Sequence, residues 1–172
     1  MKRVVALLVV ACSVSPAIAQ RVRVDYDHGA SFSRYKTYNW EQLSEPQSPV
    51  GQFPNQLMHD RIVRFVEEAL AARGLKRVEK GGNLQVGYQM NVTEQVQYNT
   101  VGSGWGWDGG FSTTTTQTIL TGTLIINMMD SREKQLVFQG ISTETISSRP
   151  ERNTRRLQKA VNKIFEKYPP RL

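Results

Sequence analysis

A long alternation of apolar and polar residues runs through the middle of the chain. Its apolar members are Leu84, Val86, Tyr88, Met90, Val92, Val96 and Tyr98, and only Glu94 interrupts them. A period of two indicates a β-strand with one buried and one solvated face, which is typical of antiparallel sheets. The rest of the chain must therefore supply neighbouring strands and a layer that covers the apolar face.

Further strands are expected on both sides of this segment. The β-prone runs are Arg21–Asp27, Arg34–Trp40, Leu75–Val78, the threonine-rich stretch after Ser112 that continues through Leu120–Met128, and Gln135–Ile146. The proline-rich stretch Glu45–Pro54 and the glycine-rich stretch Asn99–Ser112 are predicted to be loops, and Asp130–Glu133 is predicted to be a polar turn.

Two segments have the period of an amphipathic helix. The first begins at Asn55, which suits an N-cap, and ends near Gly74. Its apolar residues are Met58, Ile62, Phe65, Val66, Ala69 and Leu70. The second begins at Pro150 and ends before Pro169. Its apolar residues are Leu157, Ala160, Val161, Ile164 and Phe165. These stripes predict an α+β fold, with a largely antiparallel sheet covered on one face by two helices.

The first 19 residues have the pattern of a secretory signal peptide. Lys2 and Arg3 are basic, and the apolar run that follows, as far as Ala11, is shorter than the roughly 20 residues of a membrane span. Ala17–Ala19 has the small residues that signal peptidase accepts. We expect residues 1–19 to be removed and residues 20–172 to form a single domain in the periplasm, without a transmembrane span.

Cys12 leaves a second route of maturation open. Val9–Cys12 resembles a lipobox, so the protein could instead be an outer-membrane lipoprotein anchored through Cys12. The Ala17–Ala19 site lies at a more usual distance and favours release into the periplasm. If Cys12, which is the single cysteine of the chain, is removed with the signal, disulfides and thiol chemistry are excluded.

The chain is basic, and one helix gathers much of the charge. With 22 Lys and Arg against 15 Asp and Glu, the formal charge is +7, or +5 without Lys2 and Arg3. Such a charge attracts anionic envelope material, while export argues against nucleic acid as a partner. The second helix is predicted to present a basic ridge of Arg152, Arg155, Arg156, Lys159, Lys163 and Lys167. This ridge is either an ordinary solvated face or a surface that docks on anions.

No catalytic constellation is recognisable. His28 and His59 stand apart from the further ligands that zinc requires, and no Gly-x-Ser-x-Gly elbow accompanies them. Glu94 and Glu144 interrupt strand faces, where one of them could line a cleft. The sequence therefore predicts a protein that is not an enzyme and needs no metal or cofactor, and a hydrolase with an unconventional site is the alternative.

A Gly/Trp segment separates two of the predicted strands. Gly104–Gly109 matches G-x-G-x-x-G, but that motif binds dinucleotides only between a strand and a helix. Trp105, Trp107 and Phe111 instead form a candidate binding loop, because exposed aromatic rings can stack on sugars or insert into a partner. The alternative is a hairpin tip whose aromatic side chains fold back on the sheet.

The order of these landmarks resembles the domain-of-unknown-function family 4136, which occurs in bacterial envelope proteins and lipoproteins. The matching segments are Val24–Asp27, Phe32–Trp40, Ala71–Leu75, the Gly/Trp loop, Gly122–Ile126, Lys134–Gly140 and Ala160–Phe165. The resemblance implies a sheet with two helices and export to the envelope, and it supplies no catalytic residue.

These observations predict an exported envelope protein whose domain has a binding or structural role. Its partner would be an envelope protein, a lipid or a cell-wall component. The contact would be made by the aromatic loop, the basic ridge or the exposed face of the sheet.

Overall fold

The computed structural model describes residues 21–41, 55–103 and 111–169. The predicted signal peptide, Cys12 and the predicted loop Glu45–Pro54 lie outside these ranges. The strands and helices along the chain are β1 (Arg21–Tyr26), β2 (Thr37–Trp40), α1 (Gln56–Ala71), β3 (Lys76–Arg77), β4 (Leu84–Ser103), β5 (Phe111–Asp130), β6 (Leu136–Thr145) and α2 (Pro150–Phe165). A 3-10 turn at Phe32–Arg34 lies between β1 and β2.

The strands form a single mixed sheet in the order β1-β6-β5-β4-β2-β3. The pairs β1–β6, β6–β5 and β5–β4 are antiparallel, whereas β2 is parallel to both β3 and β4. The predicted α+β class is therefore confirmed, and the sheet is mostly but not purely antiparallel. The parallel part arises because α1 lies between β2 and β3 in the chain, and a helical crossover returns the chain in the same direction.

A close backbone contact lets the chain pass from β3 to β4. Gly82 lies against β2, where a Cβ atom would be only 2.6 Å from the carbonyl carbon of Tyr38. Its backbone N–H donates to Oδ1 of Asn39 at 3.0 Å. Since the obstructing atoms belong to the backbone, only glycine fits between the two segments.

Both helices agree with their predicted patterns. Oδ1 of Asn55 accepts a hydrogen bond from the backbone N–H of Met58 at 3.0 Å, which confirms the N-cap, and Gly74 has a φ of 79° beyond the end of α1. Pro150 is the first residue of α2. Every residue predicted for the two apolar stripes is buried.

The core lies between these stripes and one face of the sheet. The sheet supplies Tyr38, Leu84, Val86, Ile126, Met128 and Phe138, each at most 2% exposed. The ring of Phe138 stacks on that of Phe165 in α2, with 6.2 Å between the ring centroids. None of the helices described combines the length and apolarity needed to cross a membrane.

Candidate binding site

A cavity of about 60 Å³ lies between α2 and the helix-facing side of β5 and β6. Its apolar wall consists of Met58, Met90, Leu124, Ile146, Leu157 and Ala160. Two residues of β6, Ser142 and Glu144, also line it. They lie two positions apart on one strand, so both face the helix layer.

The Ser142 hydroxyl is a buried polar group without a partner. Ser142 is 2% exposed and lies opposite Leu124 of β5, and its Oγ accepts or donates no hydrogen bond within the described residues. Leaving such a group unpaired costs about 1–3 kcal/mol. Because few buried polar groups in native proteins are unpaired, this hydroxyl needs an explanation.

Glu144 is a half-buried carboxylate without a close ion-pair partner in the parts of the chain that are described. Burial raises its pKa, and the positive charges of Arg156, Lys163 and Lys159 oppose that rise. Arg156 does not pair with it within 4.0 Å, and its Nη1 donates instead to the carbonyl oxygen of Thr145 at 2.5 Å. A carboxylate in an apolar cavity with its pKa raised by burial is a candidate binding group.

An open groove of about 660 Å³ continues from the cavity and shares Met58, Thr145, Ile146 and Asn153 with it. The groove lies where both helices begin. Asn55 caps α1, and the Asn153 side chain fixes the segment before α2 through hydrogen bonds of 2.8 and 2.7 Å with the backbone of Ser147. Its apolar surface comes from Leu57, Met58, Ile119, Leu120 and Ile146.

The distal halves of β4 and β5 leave the sheet as a two-stranded arm, which we define as residues 94–103 and 111–120. β6 pairs with β5 only as far as Thr121, and β2 pairs with β4 only as far as Val86. The arm strands pair with each other without interruption as far as Ser103 and Phe111. Ten residues at roughly 3.3 Å each give a length of about 30 Å.

The arm corrects two sequence predictions, namely the extent of the glycine-rich loop and the burial of the apolar face of β4. The stretch Asn99–Ser112 is not a loop throughout, because the strands extend to Ser103 and resume at Phe111. β-branched threonines sustain this pairing, and the hydroxyls of Thr100 and Thr114 lie 3.0 Å apart across it. Val96 and Tyr98, which continue the apolar alternation, are exposed by 47% and 70%. The side chains of residues 94–101 and 113–118 are all exposed, and only Ile119 and Leu120, at the base of the arm, are half-buried beside the helices.

The aromatic loop predicted as a binding element is largely outside the described residues. Trp105 and Trp107 belong to residues 104–110, which join the two arm strands in sequence. Phe111 is the first residue of β5, but its side chain is not among those described. The prediction for these three side chains therefore stays untested.

The basic ridge lies on α2, partly beside the cavity, except for Lys167, which lies in the turn after the helix. Arg152, Arg155, Lys159 and Lys167 are exposed, whereas Arg156 and Lys163 are half-buried. Within the described ranges, none of the six forms an ion pair within 4.0 Å. Because three of them influence Glu144, the fold brings part of the ridge and this acid together, which sequence spacing alone did not indicate.

The two histidines have structural contacts. Nδ1 of His59 lies 2.7 Å from the hydroxyl of Tyr88, whose pKa burial raises to about 12. The ring of His28 packs on that of Tyr26 with a centroid distance of 4.6 Å. Among the described residues, no group of three or more His, Cys, Asp or Glu side chains is arranged to hold a metal ion.

An acid that the sequence placed only in a polar turn proves to be a structural anchor. Asp130 is 3% exposed, and its Oδ1 accepts hydrogen bonds from the backbone N–H groups of Arg132 and Glu133 at 2.8 and 3.0 Å. Its Oδ2 accepts from Nη2 of Arg34 at 2.5 Å and from the Tyr35 hydroxyl at 2.9 Å. Every lone pair is occupied, so this cluster holds loops together and leaves no acceptor for a ligand.

Fold and site together define a two-layer α+β domain with an apolar cavity, a groove and a projecting arm. The chain belongs to the domain of unknown function family DUF4136, whose profile matches residues 22–170. The resemblance inferred from the sequence is thereby confirmed. No curated protein is significantly similar to it in sequence.

Solved structures of similar fold include the following two. A PDZ domain protein from Parabacteroides distasonis aligns with a TM-score of 0.57 and 12% identity over 88% of this chain, which spans 36% of that protein. A PelC dodecamer subunit from Paraburkholderia phytofirmans aligns with a TM-score of 0.53 and 13% identity over 90% of this chain and 100% of its own. At such identities, the likeness concerns the fold alone.

Proposed function

We propose that this chain is a non-enzymatic binding protein of the bacterial envelope, and that its arm docks on a partner protein. The observation that carries the proposal is the projection of two paired strands beyond the sheet, with the side chains of residues 94–101 and 113–118 exposed. Membership of DUF4136 and the signal-like residues 1–19 support an envelope location.

The chemistry of the arm favours a protein as its partner. Glu94 is its only charged residue in the described strands, so a charged lipid or polymer surface would find little to pair with. No described strand covers the outer edge of either arm strand, and exposed strand edges without charge or proline are sites where another strand adds. Val96 and Tyr98 would supply side-chain contacts on one face and Val101 on the other.

A second copy of the chain is the partner to test first. The PelC protein of similar fold forms a dodecamer. An arm that reaches about 30 Å from the body could add its edge to a neighbouring subunit. The experiment must also detect the other outcome, in which a different envelope protein binds the same strand edge.

Shortening the arm is expected to abolish association and leave the body folded. Residues 97–117 would be replaced by Asn-Gly, which closes a hairpin between the paired residues Val96 and Thr118. Because the described side chains that are removed are all exposed, the free energy of unfolding should change by less than about 1 kcal/mol. Sedimentation of the wild type and the variant measures the oligomeric state.

A crosslinking experiment completes this test. A photo-reactive residue at Tyr98 should capture a neighbour in cells, whereas the same residue at exposed Gln158 on α2 should not. Crosslinks to the chain itself would support self-association, and crosslinks to another envelope protein would support a different partner. A monomeric wild type without crosslinks from position 98 would refute the role of the arm.

The envelope location has its own test. We expect the exported chain to begin at Gln20 with a free amino group, because Ala17–Ala19 suits signal peptidase. The mass of the protein recovered from cells reports this directly. A diacylated peptide beginning at Cys12 would contradict release and show a lipoprotein, and an unprocessed Met1 would contradict export.

A further inference from the structure

We propose that the cavity and the groove form a binding site for a neutral amphiphile, with its hydroxyl head group between Ser142 and Glu144 and its aliphatic chain along the groove. This inference goes beyond the role of the arm and does not depend on it.

The first argument is that one ligand group would satisfy both unusual residues. Among the described residues, the buried Ser142 hydroxyl has no hydrogen-bond partner and the Glu144 carboxylate has no ion-pair partner. A ligand hydroxyl can accept a hydrogen bond from Ser142 while it donates one to Glu144. Such pairing would offset the cost of burying these two polar groups.

The second argument is the charge around the head-group position. An anionic head group would face the Glu144 carboxylate at close range. A cationic head group would be attracted by Glu144, but it would be repelled by Arg156, which lines the cavity, and by Lys159 and Lys163, whose charges also act on that carboxylate. A neutral group that donates a hydrogen bond avoids both repulsions, so charge selects a hydroxyl over a carboxylate or an ammonium.

The third argument is the shape and lining of the space. The cavity of about 60 Å³ is large enough for a hydroxymethyl group, since a single water needs roughly 10–15 Å³ on this measure. The groove of about 660 Å³ lies within the range of roughly 300–1,000 Å³ typical of ligand sites. Leu57, Leu120 and Ile146 line the route for the chain, and Met58 and Met90 can adapt to it.

Titration with 1-octanol tests the site, with the ¹³C-methyl signals of Met58 and Met90 as the readout. We expect saturable shifts of both signals. Octyl methyl ether, which cannot donate a hydrogen bond, and octanoate, which carries a negative charge, should each bind about tenfold more weakly. Equal affinity for the ether would overturn hydroxyl recognition, tighter binding of octanoate would overturn the charge argument, and unshifted methionines would overturn the site.

Two variants separate recognition from structure. Ser142→Ala and Glu144→Gln should each weaken octanol binding by about tenfold. Glu94→Gln, the same change on the exposed arm, should leave the affinity unchanged. Ser142→Ala should also raise the midpoint of thermal unfolding by about 3 °C, because it removes an unpaired buried hydroxyl. A Ser142→Ala protein that is more stable but binds octanol as well as the wild type would refute the role of Ser142.

Discussion

Replacing Asp130 by asparagine is expected to lower the free energy of unfolding by about 3 kcal/mol, as for the loss of a buried charge from its hydrogen-bond network. The asparagine carbonyl could still accept from the backbone N–H groups of Arg132 and Glu133. Its amide nitrogen, however, would face Nη2 of Arg34, which can only donate, and the hydroxyl of Tyr35, which would lose the acceptor to which it now donates. Urea denaturation of the two proteins at pH 7 measures the difference.

The same comparison has a defined pH dependence. Burial alone would raise the pKa of Asp130, but hydrogen bonds from Glu133, Arg132, Tyr35 and Arg34 lower it to about 2. A carboxylate with a lowered pKa stabilises the folded state at pH values above its unfolded pKa of about 4. The difference in the free energy of unfolding between the wild type and Asp130→Asn should therefore be constant above about pH 5 and shrink as the pH falls towards 2.

Glu133→Gln is the matched control for Asp130→Asn. Glu133 also pairs with Nη2 of Arg34, at 2.9 Å, but its side chain is 55% exposed. Exposed ion pairs contribute at most about 1 kcal/mol, so this variant should be close to the wild type. Comparable losses in both variants, or a difference that does not depend on pH, would contradict the assignment of Asp130 as the anchor.

The helices were predictable because their information is local. Met58, Ile62 and Phe65 recur at helical spacing, and a stripe of that kind must be covered wherever the helix lies. Capping is local as well, since Asn55 and Gly74 act within one turn of their own helix. The parallel position of β2 depends instead on pairing with strands that are distant in sequence, so the sequence pattern did not reveal it.

The arm shows a different limit of prediction from the sequence. Leu84 and Tyr98 belong to the same apolar alternation, yet Leu84 is fully buried and Tyr98 is 70% exposed. The pattern records which face a side chain occupies, and burial depends on whether a helix covers that part of the face. Two helices of 16 residues cannot cover strands of 20 residues, each about 65 Å long at 3.3 Å per residue, along their whole length.

Of the two polar residues that define the candidate site, only one could be predicted from the sequence. Glu144 interrupts a strand face, which is why the sequence indicated it as a residue that could line a cleft. Ser142 gave no such signal, because serine is common in strands and its burial depends on packing against α2. The partners of Asp130 were equally hidden, since Arg34 lies 96 positions away in the sequence.

The second large effect is expected at Gly140, where α2 approaches β6 most closely. A Cβ atom on residue 140 would overlap Cγ2 of Ile164 and lie 3.1 Å from its Cγ1. Ile164 is fully buried, so it cannot move aside without displacing the helix. Gly140→Ala should therefore destabilise the fold by about 3 kcal/mol, at the upper end of the usual cost of overpacking. Thermal and urea unfolding measure this loss.

Gly122→Ala on β5 is the matched control, because its Cβ would meet Ile146 and Met90 at ordinary contact distances of 3.4–3.5 Å. It should be neutral or stabilising, since alanine in a strand is favoured over glycine by roughly 0.5–1 kcal/mol. Ile164→Ala tests the cause: in that background the further change Gly140→Ala should cost much less, because Cγ1 and Cγ2 are gone and only Cβ of residue 164 remains close, at 3.2 Å. If Gly140→Ala remained equally costly there, the loss would come from the strand itself and not from the contact with α2.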